Sequence, residues 1–210
     1  MTRSFGREEN ILIAAATISS ELRGVRKIAR EMSLGVMNAK AISHRAGDMA
    51  RGFRPITDFI AEMAQKIILG VNQISKKSVE FSYLAVRYRH LSQSIEHYQK
   101  IIDRGDAVRY ISSLQQVIKK LGEESGQCRK NFIFLTKTLS SLLGDIQRST
   151  RGAQIISATS RVEASRAESF SQSLEVIANQ VDNSTDDIRR RLQISHDHLT
   201  GVLNLLYREE

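Results

Sequence analysis

Apolar residues recur along this chain at seven-residue intervals in two interleaved rows, the pattern of a coiled-coil helix. In the first segment Ile11, Ile18, Val25, Met32, Ala39 and Ala46 form one row, and Ala15, Leu22, Ala29 and Val36 form the other. The second segment holds phase longer, through Ile60, Ile67, Ile74, Phe81, Tyr88, Ile95 and Ile102. Its companion row is Ile56, Met63, Leu84, Leu91 and Tyr98, interrupted at Gly70 and Lys77. A third register runs through Ile111, Ile118, Phe132, Leu139, Ile146 and Ala153, beside Leu114, Leu121, Cys128, Leu135, Leu142 and Ile156. The fourth carries Leu174, Val181, Ile188 and Val202, with Ala178, Leu192, Leu199 and Leu206 alongside.

The phases break at three places. Gly47 and Asp48 separate the first two, and Asp103-Arg104-Gly105-Asp106 ends the second, with Gly as a helix stop and Asp106 as an N-cap. The third ends near Ala167. The pattern predicts helices over 7–46, 51–103, 106–167 and 171–207. Short connections turn each helix back on its neighbour, so the expected fold is all-α, a long antiparallel coiled-coil four-helix bundle. It divides into two helical hairpins, 1–104 and 105–210, with one tip near 38–53 and the other near 159–178. A helix of about sixty residues is roughly 90 Å long, so the expected shape is a rod.

Composition agrees. There are 12 Gly, one Pro, no Trp and only 6% aromatics, a poor supply of turn and strand formers for a sheet protein. The longest apolar run, Ile11 to Ala16, falls far short of the roughly 20 residues of a membrane span. The N-terminal stretch carries Glu8 and Glu9 and does not read as a signal peptide. Cys128 is the single cysteine, which excludes a disulfide framework and a cysteine metal site and points to a reducing, cytoplasmic setting. The formal charge is +8, but basic and acidic residues are mixed along the chain. Arg23/Arg26/Lys27/Arg30 and Arg189/Arg190/Arg191 are the densest basic patches. No nucleic-acid-binding signature accompanies them, so they read as solvated helix faces.

Catalytic chemistry finds little support. A di-iron bundle needs Glu-x-x-His on two helices, and no Glu here has His three residues later. His90 and His97 share a helix face without matching carboxylates. There is no phosphate loop and no nucleophile-base-acid set. The expectation is no enzyme, no cofactor and no metal.

The first tip is the most distinctive stretch: Asn38-Ala39-Lys40-Ala41-Ile42-Ser43-His44-Arg45-Ala46-Gly47-Asp48-Met49-Ala50-Arg51-Gly52-Phe53. Gly47 suits the left-handed residue that ends a helix, and Asp48 would cap the returning one. Ala39, Ala41, Ser43 and Ala46 are small enough for two helices to approach closely. Arg45 and Arg51 flank the turn and, with Phe53, are expected to offer a cationic, partly apolar docking patch.

This string resembles the signalling tip of methyl-accepting chemotaxis proteins, Asn-Ala-x-x-Glu-Ala-Ala-Arg-Ala-Gly-Glu-x-Gly-Arg-Gly-Phe-x-Val-Val-Ala. Asn38, Ala39, Arg45, Ala46, Gly47, Arg51, Gly52 and Phe53 are identities, and Asp48 stands for the family Glu. A fainter copy follows at the second tip. Val162-Glu163-Ala164-Ser165-Arg166-Ala167 matches Ile/Val-Glu-Ala-Ala-Arg-Ala, and Glu175-Val176-Ile177-Ala178 falls where x-Val-Val-Ala belongs. Arg166 lies 121 residues after Arg45, so the resemblance implies a duplicated hairpin. Family receptors dimerise to form a four-helix bundle, and two hairpins in one chain would imitate that dimer.

The resemblance implies docking of the chemotaxis histidine kinase CheA and the coupling protein CheW. Asn38, Arg45, Gly47, Asp48, Arg51 and Phe53 are the expected contacts, with Glu163, Arg166 and Val176 at the second tip. Three departures stand out. Arg30 and Arg151 replace a tip-proximal Phe through which family dimers cluster in threes, Ile42 replaces the family Glu, and Pro55 replaces the first Val of Val-Val-Ala. Glu123-Glu124 lacks the small flanking residues of a family adaptation site. The expected particle is a monomer or an elongated homodimer joined away from the tips. The alternative from another class is a coiled-coil scaffold, or a basic rod on nucleic acid or membrane, without kinase binding.

Overall fold

The computed structural model describes residues 3–104 and 110–207. It contains α1 (Arg3–Arg45), α2 (Phe53–Asp103), α3 (Ile111–Arg151), α4 (Ala153–Ser165) and α5 (Ser171–Tyr207), and no strand among the described residues. Gly105 and Asp106, the expected stop and cap between α2 and α3, lie outside those residues.

Each helix packs against two others in a closed ring: α1 on α2 and α5, α2 on α3, and α3 with α4 on α5. The contacts fix the directions. Lys40 on α1 meets Asp58 on α2 at 2.6 Å, and Ser43 meets Ala50. Glu21 on α1 meets Arg191 on α5 at 2.8 Å, whereas Gly35 lies beside Gln180. Residue numbers rise along one helix as they fall along its neighbour, so every adjacent pair is antiparallel. One core cluster draws on all four rods, so neither hairpin has an interior of its own.

The apolar rows of α1 and α5 are buried as their spacing predicts. Elsewhere four expectations change. The predicted third helix is interrupted at Gly152, where the Thr150 hydroxyl donates to the Gln147 carbonyl. Gly152 keeps right-handed helical angles, so α4 continues the direction of α3. The companion row of α3 and α4 is Thr136, Leu143, Thr150 and Ser157 rather than Leu142 and Ile156, which are only half-buried. On α2 the apparent interruptions at Gly70 and Lys77 lie off the seam, which Val71 and Ser78 complete.

Hydroxyls are tolerated inside this seam because each can return a hydrogen bond to its own helix. Ser78, Thr136 and Thr185 donate to the carbonyls of Ile74, Phe132 and Val181. Ser157 is the exception, its buried hydroxyl having no partner. Cys128 also sits on the seam, its thiol 3.8 Å from the Leu84 carbonyl, and burial pushes its pKa up. The thiol therefore stays protonated and packs as a small hydrophobe.

The fourth change is at the end remote from the tips. Past Leu91 on α2, and before Cys128 on α3, no described residue is buried. Ile95, Tyr98, Ile102, Ile111, Leu114, Ile118 and Leu121 keep the register but are half-exposed. A seam spaced for four helices buries its residues only where four helices run together.

Candidate docking tip

At the first tip α1 ends at Arg45 and the chain reverses through a short 3-10 turn, Gly47–Ala50. Gly47 has φ +57°, the left-handed conformation in which a Cβ costs roughly 1–2 kcal/mol. Around it the Ala46 N–H donates to Ile42 at 2.9 Å, Met49 to Ala46 at 3.3 Å and Arg51 to Asp48 at 3.2 Å. A buried bond from the Ser43 hydroxyl to the Ala50 carbonyl, 3.1 Å long, ties α1 to the far end of the turn.

Gly47→Ala is therefore expected to destabilise the protein by about 1 kcal/mol, although nothing lies within 4 Å of the new Cβ. Gly47→Asn should restore most of the loss, because Asn tolerates the left-handed region. Urea unfolding of the two variants checks this. Equal losses would show that space, not backbone strain, decides the position.

The expected contact residues separate into two groups. Asn38, Arg45, Asp48 and Arg51 are exposed around the turn, and Gly47 is half-exposed. Phe53 is not at the surface. Its exposure is 0%, and it packs with Ala39, Ala46 and Ala50 against Ala164, Ala167, Leu174 and Ile177 of the other tip. Phe53 cannot be a surface contact; it joins the tips from inside. Asp48 does not cap α2 either. The 3-10 turn places it ahead of the cap position, Gly52, which has no side-chain cap, and only its backbone carbonyl bonds across the turn.

At the second tip the chain turns through Glu168–Phe170, with Ala167 donating to Ala164 at 3.0 Å and Phe170 to Ala167 at 2.9 Å. Glu163 is half-buried, 3.2 Å from Arg166, while Arg166 and Val176 are exposed. Glu163 also packs directly over Gly52 of the first tip, where any Cβ would run into its carboxylate. The two tips are thus side by side, joined by an apolar core and by this close approach.

Sequence reading missed the apolar side chains standing outside the seam near this end. Leu34, Met37 and Met49 are exposed at the first tip, and Ile155 and Val162 at the second, beside the expected Val176. Leu34 and Ile155 are themselves 121 residues apart, the spacing that relates Arg45 to Arg166. Their absence from the heptad rows was the available signal.

The chain is 25% identical over 138 residues to the methyl-accepting chemotaxis protein TlpQ of Pseudomonas aeruginosa. The sequence is chemoreceptor-like. The match takes in 59% of this chain and 19% of that protein, so the similarity concerns about a fifth of the receptor's length. No protein-family model matches the chain, and no solved structure matches it. Among the described residues no helix is long and apolar enough to cross a membrane. No group of three His, Cys, Asp or Glu side chains there is placed to hold a metal ion, and His90 and His97 are exposed.

Proposed function

We propose that this chain is a non-enzymatic, cytoplasmic signalling or adaptor protein of the chemotaxis system. Its paired tips dock the histidine kinase CheA and the coupling protein CheW, and its two hairpins imitate a receptor dimer within one chain. The observation that carries this reading is the joined end of the bundle. Two hairpin turns share one core there, and the exposed Arg45 and Arg51 flank a left-handed glycine. Similarity to a methyl-accepting chemotaxis protein supports the same system.

The chemistry suits protein docking rather than turnover. Two guanidiniums beside exposed Met49 can form charge-assisted hydrogen bonds with a partner's carboxylates while apolar surface is covered. Phe53 and Gly52 contribute indirectly, by holding the first turn against the second. Purified CheA and CheW, mixed with the full chain, should co-elute with it in size-exclusion chromatography. If neither is retained at micromolar concentration, a coiled-coil scaffold without kinase binding replaces this reading.

A further inference from the structure

The side of the rod formed by α1 and α2 carries an unbalanced charge. Arg23 and Arg26 line the groove between these helices together with Ser19, Ser75 and Ser82. Arg30 is seven residues beyond Arg23 and so shares its face. None of the three arginines has an ion-pair partner among the described residues, whereas neighbouring Lys27 lies 3.8 Å from Glu31. On α2, Lys76 stands seven residues before the exposed Tyr83. The nearby acids are already paired. Glu21 is held by Arg191 of α5. Glu80 is paired with Lys77 of its own helix at 3.0 Å.

Apolar side chains stand proud of the same strip. Val79 is 72% exposed, Tyr83 63% and Val86 44%, at the i, i+4, i+7 spacing of one helix face. From Lys76 to Val86 the strip runs about 15 Å along the rod. None of these residues serves the core, and each is a persistent cost in water.

We propose that this face is a docking surface for an anionic lipid bilayer, with the rod lying flat on it. The unpaired arginines and Lys76 would meet phosphodiester headgroups, Tyr83 would sit at headgroup level, and Val79 and Val86 would enter the acyl boundary. Charge alone would also suit nucleic acid. Protruding aliphatic residues favour lipid, because single-stranded nucleic acid calls for stacking aromatics and duplex calls for polar groups at the base edges. The tip residues Arg45 and Arg51 lie outside the strip, so this inference does not depend on kinase docking.

The test is co-sedimentation of the full chain with phosphatidylcholine vesicles, with and without phosphatidylglycerol. Binding should need the anionic lipid and weaken as salt shortens the screening length. Each basic residue near such a surface contributes roughly fivefold to partitioning, so Arg23→Gln/Arg26→Gln/Arg30→Gln should lower it about a hundredfold. Val79→Ser/Tyr83→Ser should lower it severalfold more than salt does. Lys119→Gln/Lys120→Gln/Lys130→Gln, an equal loss of charge on α3, should change it less than threefold. Unchanged thermal melting would show that each variant is folded. Equal losses from the two triple variants would overturn the proposal, as would no binding to anionic vesicles. Retention of duplex DNA in place of vesicles would overturn it in favour of nucleic acid.

Discussion

Phe53→Ala is expected to cost about 3–5 kcal/mol, the range for removing a fully buried aromatic side chain. The loss should be near the upper end, because its surroundings cannot collapse easily. Five members of its cluster are alanines, Ala39, Ala46, Ala50, Ala164 and Ala167, with no side-chain length to reach into the space. A domain of this kind has about 5–15 kcal/mol in total, so the variant should melt much earlier and lose order first at the tips. Urea unfolding followed by circular dichroism measures it. A loss below about 1 kcal/mol would mean the ring is not enclosed between the tips.

That expectation reverses what residue type alone suggests. Arginine and phenylalanine beside a turn have the composition of a binding hot spot, and composition does not carry direction. Register does. Phe53 lies seven residues before Ile60, in phase with Ile67 and Ile74, and its burial could have been read from that row. The rows of α1 and α5 were legible because nearly every seam position is aliphatic. Thr136 and Thr150 were not, because a hydroxyl that bonds back into its own helix looks polar in the sequence and behaves as a spacer in the core. Periodicity also identifies which face is apolar without saying how many helices cover it, which is why Ile95 and Ile118 look like core and are half-exposed.

The second large effect follows from the shared core. Residues 1–104 alone would expose the inner faces of α1 and α2, including Val25, Met32, Ile67, Val71, Ile74 and Phe81, all buried in the whole chain. Each such side chain contributes about 1.5–3 kcal/mol on burial, so their combined exposure exceeds the whole stability of a typical domain. The isolated hairpin should have no folded monomer. It should be largely unfolded when dilute and self-associate into a two-hairpin bundle when concentrated. Circular dichroism across a dilution series, with analytical ultracentrifugation, reads both states. A stable, fully helical monomer would mean that each hairpin folds alone and that the second is not needed to complete the bundle.

The central functional claim is that exposed charge at the first tip, held in place by the joined core, docks the chemotaxis kinase. Arg45→Ala/Arg51→Ala removes that charge and touches none of the buried residues, so helicity should hold and stability should change by about 0.5 kcal/mol or less per site. Arg166→Ala/Val176→Ala removes one charge and one apolar side chain from the exposed surface of the second tip, and is the control. The direct measurement is co-elution of CheA and CheW with these folded variants and the unaltered chain. The account predicts that the first-tip variant loses both partners while the second-tip variant keeps most of the binding. Full retention by the Arg45/Arg51 variant would contradict it and leave the tip as a structural turn.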